Sequence, residues 1–170
     1  MIPESINVVG IDPSLAATGV ATNSGEFTIK TDAKKHGDGG RLAKLGTDLA
    51  QALRTQPTLV VIEDLPTHAM SAGLTGRAQG VVRMTLALWN IPYVAIPPAT
   101  LKKFATGKGN AKKDAMRAAW LEYSGEDNAD DNQVDAAWLR QIGRHFMGGR
   151  VDLPQAQLDA VEAYRDVRER

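Results

Sequence analysis

Ile6-Asn7-Val8-Val9-Gly10-Ile11-Asp12-Pro13-Ser14-Leu15-Ala16-Ala17-Thr18-Gly19 is the stretch from which the rest of the chain can be read. An apolar, β-rich run delivers one carboxylate, Asp12, and a turn bearing Pro13 and Ser14 follows at once. A charge at the end of a buried strand is costly unless something compensates it. A metal ion, a basic partner or a hydrogen-bonding turn would each do so.

Outward from this run, Ile6–Ile11 reads as a first strand and Thr18–Thr22 as a second. Asn23-Ser24-Gly25 is a hairpin turn into a third, Glu26–Lys30. His36-Gly37-Asp38-Gly39-Gly40 breaks the pattern. Leu42, Leu45, Leu49 and Leu53 then recur at helical spacing, which predicts a helix over Arg41–Arg54. Leu59–Ile62 is a continuous apolar run ending in Glu63-Asp64, as expected of a strand buried on both faces. Leu65–Met70, with Pro66, reads as a loop. Ser71–Trp89 reads as a helix, although Gly73, Gly76 and Gly80 weaken it unless something packs closely there. Pro92–Ile96 is a fifth strand, and Pro98 opens a short helix over Ala99–Ala105. After the Gly107-Lys108-Gly109 break come helices over Ala111–Tyr123 and Asn132–Met147. Leu153–Arg168 has the thin apolar stripe of a terminal helix. Three strands in a meander followed by β-α crossovers predict an α/β fold, with a mixed five-stranded sheet flanked by helices.

A length of 170 residues suits one domain with a real core, and 43% hydrophobic with 24% charged residues is ordinary for a globular protein. The absence of cysteine excludes disulfides and thiolate metal sites. No apolar stretch has the length of a membrane span, and the first strand begins too early for a signal peptide, so the expected location is the cytoplasm. The net charge of zero argues at first against a nucleic-acid partner, but the distribution matters more than the sum. Lys102, Lys103, Lys108, Lys112, Lys113 and Arg117 face only Asp114 within their segment. Glu122, Glu126, Asp127, Asp130, Asp131 and Asp135 follow with no base among them. A positive patch beside a negative cluster suits a metal site that must also hold a polyanion. The plainer reading is two solvated faces of opposite sign.

Asp12 ends the first strand and Glu63 the fourth, and α/β sites gather where strand ends meet. Asp131 and Asp135 are four apart, on one helical face. Four such carboxylates repel unless a counter-ion is present. Mg²⁺ is hard and takes oxygen ligands. Two ions roughly 3.5–4 Å apart can activate water and stabilise the leaving oxygen of a phosphodiester. Taken singly, Asp12 reads as a turn cap and Asp131 as a helix N-cap; only the set implies a metal site. Glu63 and Asp64 compete for one role, because successive strand residues face opposite sides.

Val9-Gly10-Ile11-Asp12-Pro13-Ser14 with Thr18-Gly19, then Val61-Ile62-Glu63, then Asp135-Ala136-Ala137 resemble the RuvC family of Holliday-junction resolvases, with a phage-type flavour. Arg77-Ala78-Gln79-Gly80-Val81, Lys102 and Gly107-Lys108-Gly109-Asn110-Ala111-Lys112-Lys113 extend the resemblance, which covers roughly Val8 to Phe146. It implies an RNase H-like nuclease domain over residues 1–150, with 151–170 as a C-terminal helical extension of it. It also implies a homodimer that cuts branched DNA by Mg²⁺-dependent phosphodiester hydrolysis, with two ions per site and Mn²⁺ as a substitute. Asp12, Glu63 and Asp135 match family metal ligands, which favours Glu63 over Asp64. Lys102 and Lys113 match lysines the family places near the DNA backbone, and Lys103, Lys108 and Lys112 add charge beside them.

There are two departures from the family. It often has an acid or histidine three residues before the last aspartate, where this chain has Asn132; Asp131, one residue earlier, is expected to take that role. Some members carry a base-stacking aromatic three residues after the glutamate, where this chain has Pro66; nearby His68 is a candidate DNA contact. Two other classes fit parts of the chain. Gly10-Ile11-Asp12 with Thr18-Gly19 also resembles the first phosphate loop of actin-like and sugar-kinase-type ATPases. Those need two lobes and would leave the lysine segment and the Asp131/Asp135 pair without a use. A non-catalytic branched-DNA-binding module with a decayed site is the third reading.

Overall fold

The computed structural model describes residues 6–65 and 72–169. Strands β1 (Val8–Asp12), β2 (Ala17–Thr22) and β3 (Gly25–Lys30) form an antiparallel meander. Strands β4 (Leu59–Glu63) and β5 (Tyr93–Ile96) add to it in parallel, giving the order β3-β2-β1-β4-β5. This is the mixed five-stranded sheet that the sequence predicts. β1 lies at its centre and is buried throughout its length.

Alternation along the strands sorts the core into two layers. Val9, Ile11, Val60 and Ile62 face helices α1 (Ala33–Ala52) and α2 (Ala72–Leu88), meeting Leu45, Leu49, Val82 and Leu86. Full burial of each such leucine stabilises the fold by about 2 kcal/mol. Val8, Leu59 and Val61 face the other way, toward α3 (Pro98–Thr106), α4 (Lys113–Ser124) and α5 (Asp131–Phe146). There Trp138 is fully buried, with its ring centroid 5.3 Å from that of Trp120 and 5.2 Å from that of Tyr123. These edge-on and tilted contacts join α4 to α5.

Helix α5 lies closer to the sheet than side chains ordinarily allow. A Cβ on Gly10 would overlap the carbonyl oxygen of Ala136 and stand 2.5 Å from the amide nitrogen of Arg140. A Cβ on Gly19 would overlap the carbonyl of Asn132. The two glycines of the opening motif therefore set the height of α5 above β1 and β2.

Two elements differ from the sequence reading. The first helix begins at Ala33 rather than Arg41 and continues through a break at Gly37, where φ is +64°. Asp32 caps it by accepting from the Lys35 amide at 2.8 Å. At Gly37 the backbone leaves helical geometry, with ψ near 175°, so the break that the sequence predicts is present and separates the first turn from the long helix. The expected helix over Leu153–Arg168 is instead a short helix α6 (Gln155–Asp159) and a single 3-10 turn (Glu162–Tyr164). Tertiary contacts override propensity here. Val151 and Val161 are buried against the α5 layer, Arg165 donates to the carbonyls of His145 and Phe146, and Glu169 pairs with Tyr93 at the edge of the sheet.

Candidate active site

β1 and β4 run parallel in register, with Gly10 beside Val61 and Ile11 beside Ile62. Asp12 and Glu63 therefore end adjacent strands side by side, on the face that α5 covers. Asp64 points to the opposite face, where Arg83 meets its carboxylate at 3.2 Å. Register and alternation thus separate the two neighbouring acids.

Helix α5 brings the remaining carboxylates. Its N-cap is Asp130, which accepts from the amides of Asn132 and Gln133 at 3.0 and 3.3 Å. Thr28 on β3 donates to the other Asp130 oxygen at 2.7 Å, so the helix start is fastened to the sheet. The helix starts one residue earlier than the sequence suggests, and capping belongs to Asp130, not Asp131. Asp131 opens the first turn, and Asp135 stands one turn further along the same face.

These four acids line a single cleft of about 640 Å³ with Lys102, Lys112 and Lys113. Ser14, Asn110 and Asn132, which the motifs contain without an assigned role, and Thr75, which motif reasoning passed over, also line it. Asp12 does not cap the turn that follows it. Thr18, fully buried, holds that turn by accepting from the Ser14 amide at 3.1 Å and donating to the Ser14 carbonyl at 2.6 Å.

The electrostatics are those of a crowded acidic site. Burial, then the charge of Glu63 and a hydrogen bond shared with it, raise Asp12 well above the usual carboxylate range. Burial and the charge of Asp135 push Glu63 up to about 7, against the opposing pull of the Asp12 hydrogen bond and Lys102. Burial, then the charges of Asp12 and Asp131, push Asp135 to about 7, while Lys102 and Lys113 oppose the shift. The two lysines reduce the repulsion without cancelling it.

Among the described residues, no three acidic or histidine side chains stand in metal-holding geometry. Of the four carboxylates, Asp131 has a cationic partner, while Asp12, Glu63 and Asp135 crowd one another. Lys113 holds Asp131 at 2.8 Å. The donor set nevertheless fits a hard divalent cation: it is all oxygen, its acids outnumber the nearby lysines, and burial with mutual repulsion raises three of them, which a bound cation would relieve.

A stability prediction follows. Asp12, Glu63 and Asp135 hold protons more tightly folded than unfolded, so the folded state binds more protons from about pH 4 to 7 and stability falls as pH rises through that window. For Glu63, the rise from an ordinary 4.5 to about 7 corresponds to a loss on the order of 3 kcal/mol. In chelator, the thermal midpoint is expected to fall between about pH 4.5 and pH 7.5. Millimolar Mg²⁺ should restore it at the higher pH only. A midpoint indifferent to both would contradict the assignment.

Of the bases expected to meet DNA, Lys102, Lys112 and Lys113 line the cleft. Lys103 is exposed on α3, and Lys108 borders a separate cavity beside α4 and Pro154. Arg117 is held by Asp127 in two contacts of 2.7 and 2.6 Å. Pro66 and His68 lie outside the described residues.

The fold and site together define a class. The chain superposes on a T. thermophilus RuvC in complex with Holliday junction substrate at a TM-score of 0.70, with 20% identity, covering 84% of this chain and 94% of that one. A second Thermus thermophilus RuvC structure gives 0.66 at 22% identity, covering 84% and 96%. The architecture is therefore RNase H-like, as the family resemblance implies. No family model matches the chain. The crossover junction endodeoxyribonuclease RuvC of Parasynechococcus marenigrum (strain WH8102) is 34% identical over 125 residues, 67% of this chain and 80% of that protein. The RuvC proteins of Synechococcus strains WH7803 and CC9605 are 34% and 32% identical, over 67% and 72% of this chain and 80% and 86% of theirs. The chain belongs to the RuvC family of crossover junction endodeoxyribonucleases. With that relationship the ATPase reading falls away.

Proposed function

We propose that this chain is a divalent-cation-dependent endonuclease that resolves four-way junctions or other branched DNA, working as a homodimer in a bacterial or phage-infected cell. The observation that carries the reading is the in-register pairing of Asp12 with Glu63, with Asp135 on α5 in the same cleft and Lys102 and Lys113 at its rim. We take residues 151–170 as an extension of the nuclease domain of residues 1–150.

Asp12, Glu63 and Asp135, with Asp131 completing the set, are the residues that would hold Mg²⁺ or Mn²⁺. Two such ions supply water activation and stabilisation of the departing oxygen in phosphodiester hydrolysis. The lysines act on the DNA itself. Lys102 and Lys112 are placed to bind phosphates flanking the cut. Lys113 must exchange Asp131 for a phosphate oxygen as DNA seats, which releases Asp131 toward the other three carboxylates.

The outward face of α2 supports the dimer. Leu74, Met84 and Leu88 are 53%, 55% and 75% exposed. An apolar groove of about 880 Å³ runs between α1 and α2. Among the described residues, the close packing that would offset the α2 glycines is not found: a Cβ on Gly73, Gly76 or Gly80 would meet nothing within 4 Å. A second copy of α2 would use that space, and a twofold axis there would present two clefts to one junction.

A panel of labelled four-way junctions, forks, flaps and duplex, incubated with the protein in Mg²⁺, tests the reading. Paired nicks in the junction are expected, with intact duplex and affinity that falls steeply with salt. Tight binding of branched DNA without cleavage in Mg²⁺ or Mn²⁺ would point to the non-catalytic module instead.

A further inference from the structure

Behind β4, on the face away from the cleft, polar side chains converge on the strand end that carries Glu63. Gln79 of α2, 2% exposed, donates its side-chain amide to the Glu63 carbonyl. Arg83, one turn later, donates Nε to the Gln79 carbonyl oxygen at 3.2 Å, which fixes the amide with its NH₂ toward Glu63. The same guanidinium meets Asp64 at 3.2 Å, the Tyr93 hydroxyl at 3.3 Å and the Glu169 carboxylate at 3.1 Å. Tyr93 donates its hydroxyl to Glu169 at 2.7 Å. Glu169 is itself held to the sheet by two backbone bonds with Tyr93, at 3.0 and 2.9 Å. All five donors of Arg83 belong to one planar fork, so its position is set by Glu169 and Tyr93 on one side and transmitted to Gln79 and Asp64 on the other.

We propose that Gln79, Arg83 and Glu169 are positioning residues that fix the backbone at Glu63, so that residues 165–169 complete the support of the active-site strand. This rests on the nuclease reading above, because it concerns the same carboxylate. Glu63 is the last residue of β4, and among the described residues the ladder beyond it continues only through the Asp64 amide bond to Ile96 at 2.8 Å. Without the Gln79 bond the strand end would be free to swing, and Glu63 would lose its register with Asp12. Partners that orient ligating groups typically govern metal affinity or rate by about 10–100-fold when removed.

The test uses the full chain with Gln79→Met, Glu169→Gln and the double variant. Three quantities are measured: the Mg²⁺ concentration giving half-maximal junction cleavage, the junction Kd in chelator, and hydrogen exchange of the 59–65 segment in chelator. Expected are a rise of about tenfold in the Mg²⁺ requirement for each single variant and faster exchange at the end of β4. Junction affinity should stay unchanged, and the double variant should show less than the product of the single effects, because both act through Arg83. Glu169 is half exposed, so Glu169→Gln tests the relay without emptying the core. Unchanged Mg²⁺ requirement and unchanged exchange in both single variants would overturn the proposal, as would strictly multiplicative effects. Failure of the wild-type chain to cut any DNA would sink the nuclease reading; the relay would then stand or fall on the exchange measurement alone.

Discussion

Asp12→Asn is expected to lower junction cleavage by at least about a thousandfold while leaving junction affinity intact. Asn keeps the shape of the side chain and removes its charge from the middle of the acidic set. Asp12 ends the strand beside the one that carries Glu63, and its charge raises Asp135, so it stands among the buried acids of the cleft. On the proposed function, losing it removes a cation ligand at the centre of the site, whereas the lysines assigned to phosphate are untouched. The same substitution should raise the thermal midpoint in chelator at neutral pH, because it relieves repulsion on two buried acids. That pairing of higher stability with lost activity distinguishes an active-site carboxylate from a structural one. Wild-type cleavage in the variant would refute the assignment.

Gly10→Ala is expected to cost about 3 kcal/mol or more and to lower the thermal midpoint by roughly 6–12 °C. The added methyl overlaps backbone atoms of α5, at Ala136 and Arg140, and backbone cannot rotate away as a side chain can. Relief requires lifting the whole helix, and α5 carries Asp131 and Asp135. Cleavage should therefore fall further than the loss of folded protein explains. Gly39→Ala is the matched control, since a Cβ there meets nothing within 4 Å. Calorimetry of the two variants side by side reads the difference. Equal midpoints would show that α5 is not held where the structure places it.

Much of this was legible in the chain itself. The alternation and apolar runs of the five strands are local, and each strand forms within a residue or two of its expected place. The partnership of Asp12 and Glu63 was also readable, because both end strands that the β-α crossover makes parallel neighbours. Other features depend on contacts made far along the chain. Asp130 was indistinguishable from its acidic neighbours until Thr28, 102 residues away, took one of its oxygens. Glu169 lies 86 residues from Arg83, and no local pattern announces their contact. The terminal segment has a helical stripe, but burial of Val161 and the bridge to Tyr93 draw it into a wrap around the core. The run of bases up to Arg117 overstated the charge available to DNA, because the sequence does not reveal that Asp127 holds Arg117.

Calorimetric titration of Mg²⁺ into the wild-type chain and into Asp12→Asn, at a pH above the raised carboxylates, tests the central claim most directly. The account predicts saturable binding to the wild-type protein that is lost in the variant. Binding indistinguishable between the two, or absent from both in the presence of junction DNA, would contradict a cation site built on Asp12.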